Sequence, residues 1–300
     1  MHVRTLKADL MLLAVAVMWG AGFTSQRSAM ESMGPFTFNA ARYAVGAAVI
    51  LPLILFRKSR PRPDRRTLIV GVLLGVVMWG ASGFQQMGLV TTTASRAGFI
   101  TGLYVLGVPL LGLLLGHRLS KGHLLGAVLA AAGLAMLCGN LSGGNIRGDL
   151  LVLGCAVLWA VHVVLVALIA GDGDALVLAC TQFIVVAILS LIVAHVVETP
   201  TLVGLRVGAI PLLYNGVFAI AIAFTLQIIA QRDAPPTHAA VLMSLEAVFG
   251  ALFGVLLLSE RLSAAEWAGC GLMFAGMLAC QLWPHTRTPE EQAQLTDPVR

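Results

Sequence analysis

The stretch DLMLLAVAVMW at residues 9–19 returns 140 positions later as DLLVLGCAVLW at 149–159, with six of eleven residues identical. Both copies open on an aspartate, close on a tryptophan and are apolar in between. A second pair lies towards the end of each half. RLSKGHLLGAVLAAAGLAML at 118–137 and RLSAAEWAGCGLMFAGMLAC at 261–280 share Arg, Leu, Ser, Gly, Leu, Ala and Gly at an offset of 143. Between them Gln85 falls on Gln227 at an offset of 142, and Gly107 on Gly250 at 143. Apolar helices align easily on Leu, Ala and Val, but Asp, Trp and Arg-Leu-Ser do not recur that way. The chain is therefore read as two tandem units, 1–141 and 148–283. The polar segment PHTRTPEEQAQLTDPVR at 284–300 is expected to be a disordered cytoplasmic tail.

Of 300 residues, 58% are hydrophobic and 11% charged, whereas a soluble domain carries roughly 25% charged residues. Apolar runs of the length that crosses a hydrocarbon core of roughly 30 Å recur at 7–24, 36–56, 68–89, 95–116, 123–141, 148–170, 175–197, 207–229, 238–259 and 265–283. The expected fold is an all-α integral membrane protein with ten transmembrane helices. Five spans per unit is an odd number, so the second unit enters the bilayer from the opposite face. That makes an inverted repeat about a pseudo-two-fold axis in the membrane plane, the architecture of alternating access. The repeat also argues against reading the first apolar run as a cleaved signal, since it has a full-length partner.

Lys and Arg resist translocation. With the N-terminus in the cytoplasm, that side holds thirteen of them, the other side five, and Arg42 falls within a span. Both termini are thus expected in the cytoplasm of a multi-pass protein of the bacterial inner membrane. The turn Gly171-Asp172-Gly173-Asp174 gives this assignment no support, having no positive charge. The net charge of +5 is mainly confined to connections, which points to a lipid bilayer as partner and away from nucleic acid. All five cysteines lie in apolar runs without metal-ligand spacing, so neither a metal nor another cofactor is expected. Monomer and homodimer both remain open.

Several residues, taken in order, resemble the EamA family of the drug/metabolite transporter superfamily. They are Trp19-Gly20, Arg42, Gly88-Leu89 with Thr92-Thr93-Ala94, Leu245-Glu246 and Glu260-Arg261-Leu262. Two positions depart from the family pattern: Ala247 stands where Leu-Glu-Pro is usual, and His117 where Gly-Glu-Arg is. The resemblance implies a ten-helix carrier, often an exporter of amino acids or other small metabolites. It also implies a cavity lined by the third, fourth, eighth and ninth helices. The competing class is a membrane enzyme acting on a lipid or isoprenoid substrate, which calls for acids or histidines clustered at a membrane face. The one acidic cluster, at 172–174, is better explained by turn chemistry.

Glu246 is the acidic residue placed well inside a span. A charge at a helix centre costs about 2.5–3.5 kcal/mol to insert, so Glu246 is expected to face a cavity or a partner and is the first candidate for proton coupling. His162 is the second, as an imidazole titrates near physiological pH. Candidate substrate contacts are Trp19 and Trp159, which are repeat mates, together with Gln85, Tyr104, Gln227 and Glu246. Interfacial anchoring of the tryptophans and interhelical hydrogen bonding of the amides are the plainer alternatives. Arg42, roughly 9 Å into its helix, is read mainly as an anchor that snorkels outward. Gly80 and Gly83 are expected to interrupt the third helix, and Pro109 to kink the fourth.

Overall fold

The computed structural model describes residues 3–57, 64–92, 94–116, 121–137, 145–171, 173–258 and 263–283. The tail expected at 284–300, the Glu260-Arg261-Leu262 motif and the end of the fifth expected span beyond 137 lie outside them. The first half comprises α1 (Val3–Gly20), α2 (Gly22–Ala29), α3 (Pro35–Leu55), α4 (Arg65–Thr91), α5 (Ala94–Gly102), α6 (Tyr104–Leu114) and α7 (Lys121–Leu137). The second comprises α8 (Ile146–Ile169), α9 (Ala175–Val197), α10 (Leu202–Val207), α11 (Ala209–Tyr214), a π-helical segment (Asn215–Ile222), α12 (Ala223–Ala230), α13 (Pro236–Ser244), α14 (Glu246–Leu258) and α15 (Ala264–Leu282).

The starts of these helices follow local chemistry. Asp64, Asn145, Asp174 and Thr201 each accept a backbone N–H of the turn they precede. Ser263 and Glu266 close a capping box, and Pro35 and Pro236 open their helices where a missing N–H costs nothing. The outer surface runs opposite to that of a water-soluble domain. Asn39, Gln86, His162, Gln182 and Asn215 are sealed inside, while Leu113, Ile188, Leu191, Val196 and Ile210 point outward. That is a surface made for lipid. Seven runs among the described residues are long and apolar enough to cross a membrane, and Lys121–Met136 and Ala264–Ala279 are apolar but shorter. The expected ninth span is divided between α13 and α14.

Three expected spans are broken, each at one residue with ψ near −10°: Ala21 (ψ −9°), Leu103 (ψ −11°) and Leu245 (ψ −8°). At Leu245 the cause is visible. The Ser244 hydroxyl donates to the Val241 carbonyl (2.8 Å), which an α-helix reserves for the Leu245 N–H, and that N–H turns to Leu242 instead (3.2 Å). The break therefore forms with Ala247 where the family usually has proline. In the eighth span, Asn215 donates its side-chain amide to Pro211 O (2.9 Å) and Thr225 its hydroxyl to Ala221 O (2.6 Å). The two side-chain bonds flank the π-helical segment, where the backbone ladder is widened.

The interruption expected at Gly80 and Gly83 is absent, since α4 runs unbroken from Arg65 to Thr91. Its glycines are used for close approach. A Cβ at Gly71 would sit 2.8 Å from the Thr181 Cβ of α9, and one at Gly80 would sit 3.0 Å from Leu158 of α8. Pro109 lies within α6, and the break in that span falls earlier, at Leu103.

α3 and α9 are tied at both ends. At one end the Glu198 carboxylate accepts the N–H groups of Phe36 and Thr37 (both 2.8 Å) and the Thr37 hydroxyl (2.6 Å), capping α3. At the other, Arg57 pairs with Asp174, the residue that caps α9. Partial burial alone would push the Asp174 carboxyl up, but the Arg57 guanidinium and the Val177 amide outweigh it and hold it below its ordinary value. The turn around Gly173 and Asp174, which has no cation of its own, is thus supplied with cations from elsewhere, as Arg232 also donates to the Gly173 carbonyl. Glu198→Ala is expected to destabilise the protein by about 2 kcal/mol, the size of a charge-assisted cap, and Glu198→Gln by less, measured by thermal unfolding in detergent.

Candidate functional site

α1 and α14 cross with their backbones in contact at Gly20. A Cβ there would lie 2.6 Å from the Glu246 carbonyl oxygen and 2.8 Å from the Gly250 nitrogen. In the other half Gly107 meets Ala160 in the same way, its added Cβ 2.8 Å from the alanine's. Ala160 is Gly20 plus 140, and Gly107 is Gly250 minus 143. These two crossings bring the broken helices together around a partly open cavity.

Tyr104 and Glu246, 142 residues apart, are the first residues of α6 and α14, and both line the cavity. A helix start carries partial positive charge, which favours a carboxylate there. Among the described residues no hydrogen bond or ion pair engages the Glu246 carboxylate, although the residue is only 4% exposed. The Tyr104 hydroxyl is likewise buried without a hydrogen-bond partner.

Arg42 reaches the same cavity. It is 3% exposed, its Nε donates to Asn39 Oδ1 (2.9 Å), and its guanidinium lies 5.1 Å from the ring centres of both Phe38 and Tyr43. This corrects the reading of Arg42 as an outward anchor. Its depth in the helix was compatible with snorkelling, but α3 turns the side chain inward, where the two rings supply cation–π contacts.

The walls are aromatic. Phe224 of α12 stands between the two repeat-mate tryptophans, 4.8 Å from the Trp19 ring and 5.4 Å from that of Trp159, stacked on the latter at 21°. The Trp19 indole N–H donates to Ala219 O (2.9 Å) in the π-helical segment. Gln85, Gln26, Phe23 and Thr101 complete the lining on the first-half side. Gln26 also bonds Gln86.

Of the six substrate contacts expected from sequence, the structure gathers Trp19, Gln85, Tyr104, Trp159 and Glu246 around this one cavity. Gln227 is outside it, with its amide donating to Gln231 (2.8 Å), which in turn donates to Val163 O (2.9 Å). His162 is also outside, fully buried behind Trp159 at 5.6 Å and bonded through Nε2 to Gln182 (2.8 Å). Arg42 and Phe224 were not on that list. Arg42 carried a signal in being the one Lys or Arg well inside an expected span, away from its ends, whereas nothing distinguishes Phe224 from its apolar neighbours. A second groove, lined by Ala40, Ala44, Ile188, Leu191 and other apolar neighbours, has almost no polar lining. Nothing in it would recognise a polar solute.

The EamA-like transporter family matches residues 6–139 and 146–280. An uncharacterized transporter of Archaeoglobus fulgidus is 33% identical over 281 residues, covering 93% of this chain and 87% of that protein. The Escherichia coli protein described as an uncharacterized inner membrane transporter, YedA, is 28% identical over 285 residues, covering 89% and 88%. A chain of a solved crystal structure superposes with a TM-score of 0.78 at 24% identity, over 92% of this chain and 96% of that one, which is a likeness of fold.

The two cavity tyrosines should separate in stability. Tyr43→Phe cuts the 2.6 Å bond to Ser82 and is expected to cost about 1 kcal/mol. Tyr104→Phe removes a hydroxyl with no protein partner and should leave the thermal unfolding temperature unchanged or raised.

Proposed function

This chain belongs to the EamA-like transporter family, and from that premise we propose that it exports small zwitterionic metabolites of the amino-acid type by alternating access, coupled to protons. The observation that carries this reading is the presence of Arg42 and Glu246 in one cavity without an ion pair between them. A buried charge is costly unless it is paired, and a zwitterion brings both missing partners. Its carboxylate suits the guanidinium, which offers a fork of N–H donors. Its ammonium suits Glu246, assisted by the Tyr104 hydroxyl. Trp19, Trp159 and Phe224 then enclose the apolar part of the solute, and Gln85 offers a further hydrogen bond.

Glu246 takes the proton-coupling role rather than His162, because it faces the cavity while the imidazole is sealed behind Trp159. A carboxyl that releases its ammonium partner when protonated exchanges solute against proton at a single site. Gln227, the repeat mate of Gln85, would take the lining position when the cavity faces the other side.

The architecture we infer is ten spans in two inverted five-helix repeats with both termini in the cytoplasm. It is supported by the division of the family match at 139 and 146, by the paired breaks at Leu103 and Leu245, and by the excess of Lys and Arg on one side. Reporter fusions after residue 145 and after residue 300 should report opposite faces of the membrane. The same face for both would remove the inverted repeat.

Counterflow in proteoliposomes tests the function itself. Arg42→Gln should raise KM at least about tenfold for a carboxylate-bearing amino acid, the loss expected for a charged hydrogen bond, while leaving the corresponding decarboxylated amine little changed. Glu246→Gln should abolish the stimulation by a pH gradient. Equal losses on both solutes would reject the zwitterion reading, and a gradient response retained in Glu246→Gln would reject proton coupling at that residue.

A further inference from the structure

At the end of the bundle where the chain begins, three ionisable side chains from three helices meet away from the cavity. His238, in the first turn of α13, bonds Asp9 of α1 through Nε2 (2.7 Å), and the His123 ring of α7 stands edge-on to that of His238 at 6.1 Å. All three are buried. Asp9 is ten residues before Trp19 and His238 eight before Glu246, so the cluster sits roughly 12–15 Å from the cavity walls along both helices. The repeat puts a counterpart at the opposite end. Asp149, which is Asp9 plus 140, accepts the hydroxyl of Thr92 (2.8 Å) just before α5 begins. Each aspartate thus ties the first helix of one repeat to the start of a broken helix of the other. One tie engages an imidazole and the other a hydroxyl.

We propose that Asp9, His238 and His123 form a proton-sensitive latch that holds the cytoplasmic end of the cavity shut. The designation of that end and of the motion rests on the alternating-access reading above. The helices packed on α13 are α1, α6, α7, α8, α14 and α15. The titratable groups they turn to this end, among the described residues, are Asp9 and His123, with Lys7 and Lys121 exposed nearby on α1 and α7. Glu246 lies at the cavity, and Glu266 at the far end of α15, whose other end meets Gly122. With a proton on His238 the contact is an ion pair. Without it, the carboxylate accepts only from a neutral imidazole and the latch loosens.

Hydrogen–deuterium exchange on the purified full-length protein at about pH 5.5 and about pH 7.5, on either side of the ordinary histidine range, tests this without needing a solute. After correction for intrinsic exchange, peptides covering 6–12 and 236–243 should exchange about fivefold more slowly at the lower pH, the order of margin expected of an ion pair over a hydrogen bond from a neutral imidazole. Peptides covering 146–152 should show no such difference. His238→Asn should abolish the difference, and Asp9→Asn should do the same if the first variant does not fold. A wild-type protein without the difference, or a folded His238→Asn protein that keeps it, overturns the latch. Counterflow with a flat exchange profile removes the latch alone. A responsive profile with no counterflow of any solute leaves the latch as a pH-dependent helix contact and removes the carrier reading.

Discussion

The centre of this molecule depends on two backbones touching at Gly20. No side chain fits between that residue and the Glu246 carbonyl, so α1 meets α14 where two helix breaks lie close by, at Ala21 and Leu245. Their partial charges and freed peptide groups are thereby brought to the same depth. In hydrocarbon an irregular backbone is tolerated only where protein or a cavity satisfies it. Here protein does so in part: the Trp19 indole takes the Ala219 carbonyl, and the Tyr214 hydroxyl takes that of Met18 (2.7 Å). The cavity follows from the crossing, because broken helices that approach at one point diverge beyond it.

Much of this was legible in the sequence for a simple reason. A polar residue in an apolar helix stands out against its neighbours, and a repeated Asp or Trp stands out against Leu and Val. Five cavity residues could be found that way. Arg42 could not be oriented, because depth along a helix says how far a side chain is from water and nothing about which way the helix is turned. That rotation is fixed by packing, here by Tyr43 bonded to Ser82. Phe224 had no contrast at all, being one ring among apolar residues. The glycines of α4 were ambiguous in principle, since the same lack of a side chain permits either a break or a close approach. The short-range rules pointed to the first, and the neighbouring helices imposed the second.

The two halves, each matched by the family model, differ in what they place at the centre. Ser82 and Phe224 are 142 residues apart, and so are Tyr104 and Glu246; Arg42 and Gln182 are 140 apart. At the first pair one half has a hydroxyl tied to Tyr43 and the other a ring wedged between two tryptophans. At the third, one half sends a guanidinium into the cavity while the other sends an amide to His162. The two halves thus enclose a cavity whose charges are unevenly distributed, with the cation supplied by one half and the acid by the other. A site with a single cation and a single acid fixes the direction in which a dipolar solute must lie, and perfect internal symmetry would forbid that.

The double tie between α3 and α9 has a mechanical meaning. α3 has 21 residues, or about 31 Å at 1.5 Å per residue, close to the hydrocarbon thickness of a typical bilayer. Its partner is held to it by Glu198 at one face and by Arg57 with Asp174 at the other. Neither helix can lean or slide without the other, so a thinner lipid environment is met by tilting the pair as one plank. The two helices therefore answer to the thickness of the bilayer as a unit.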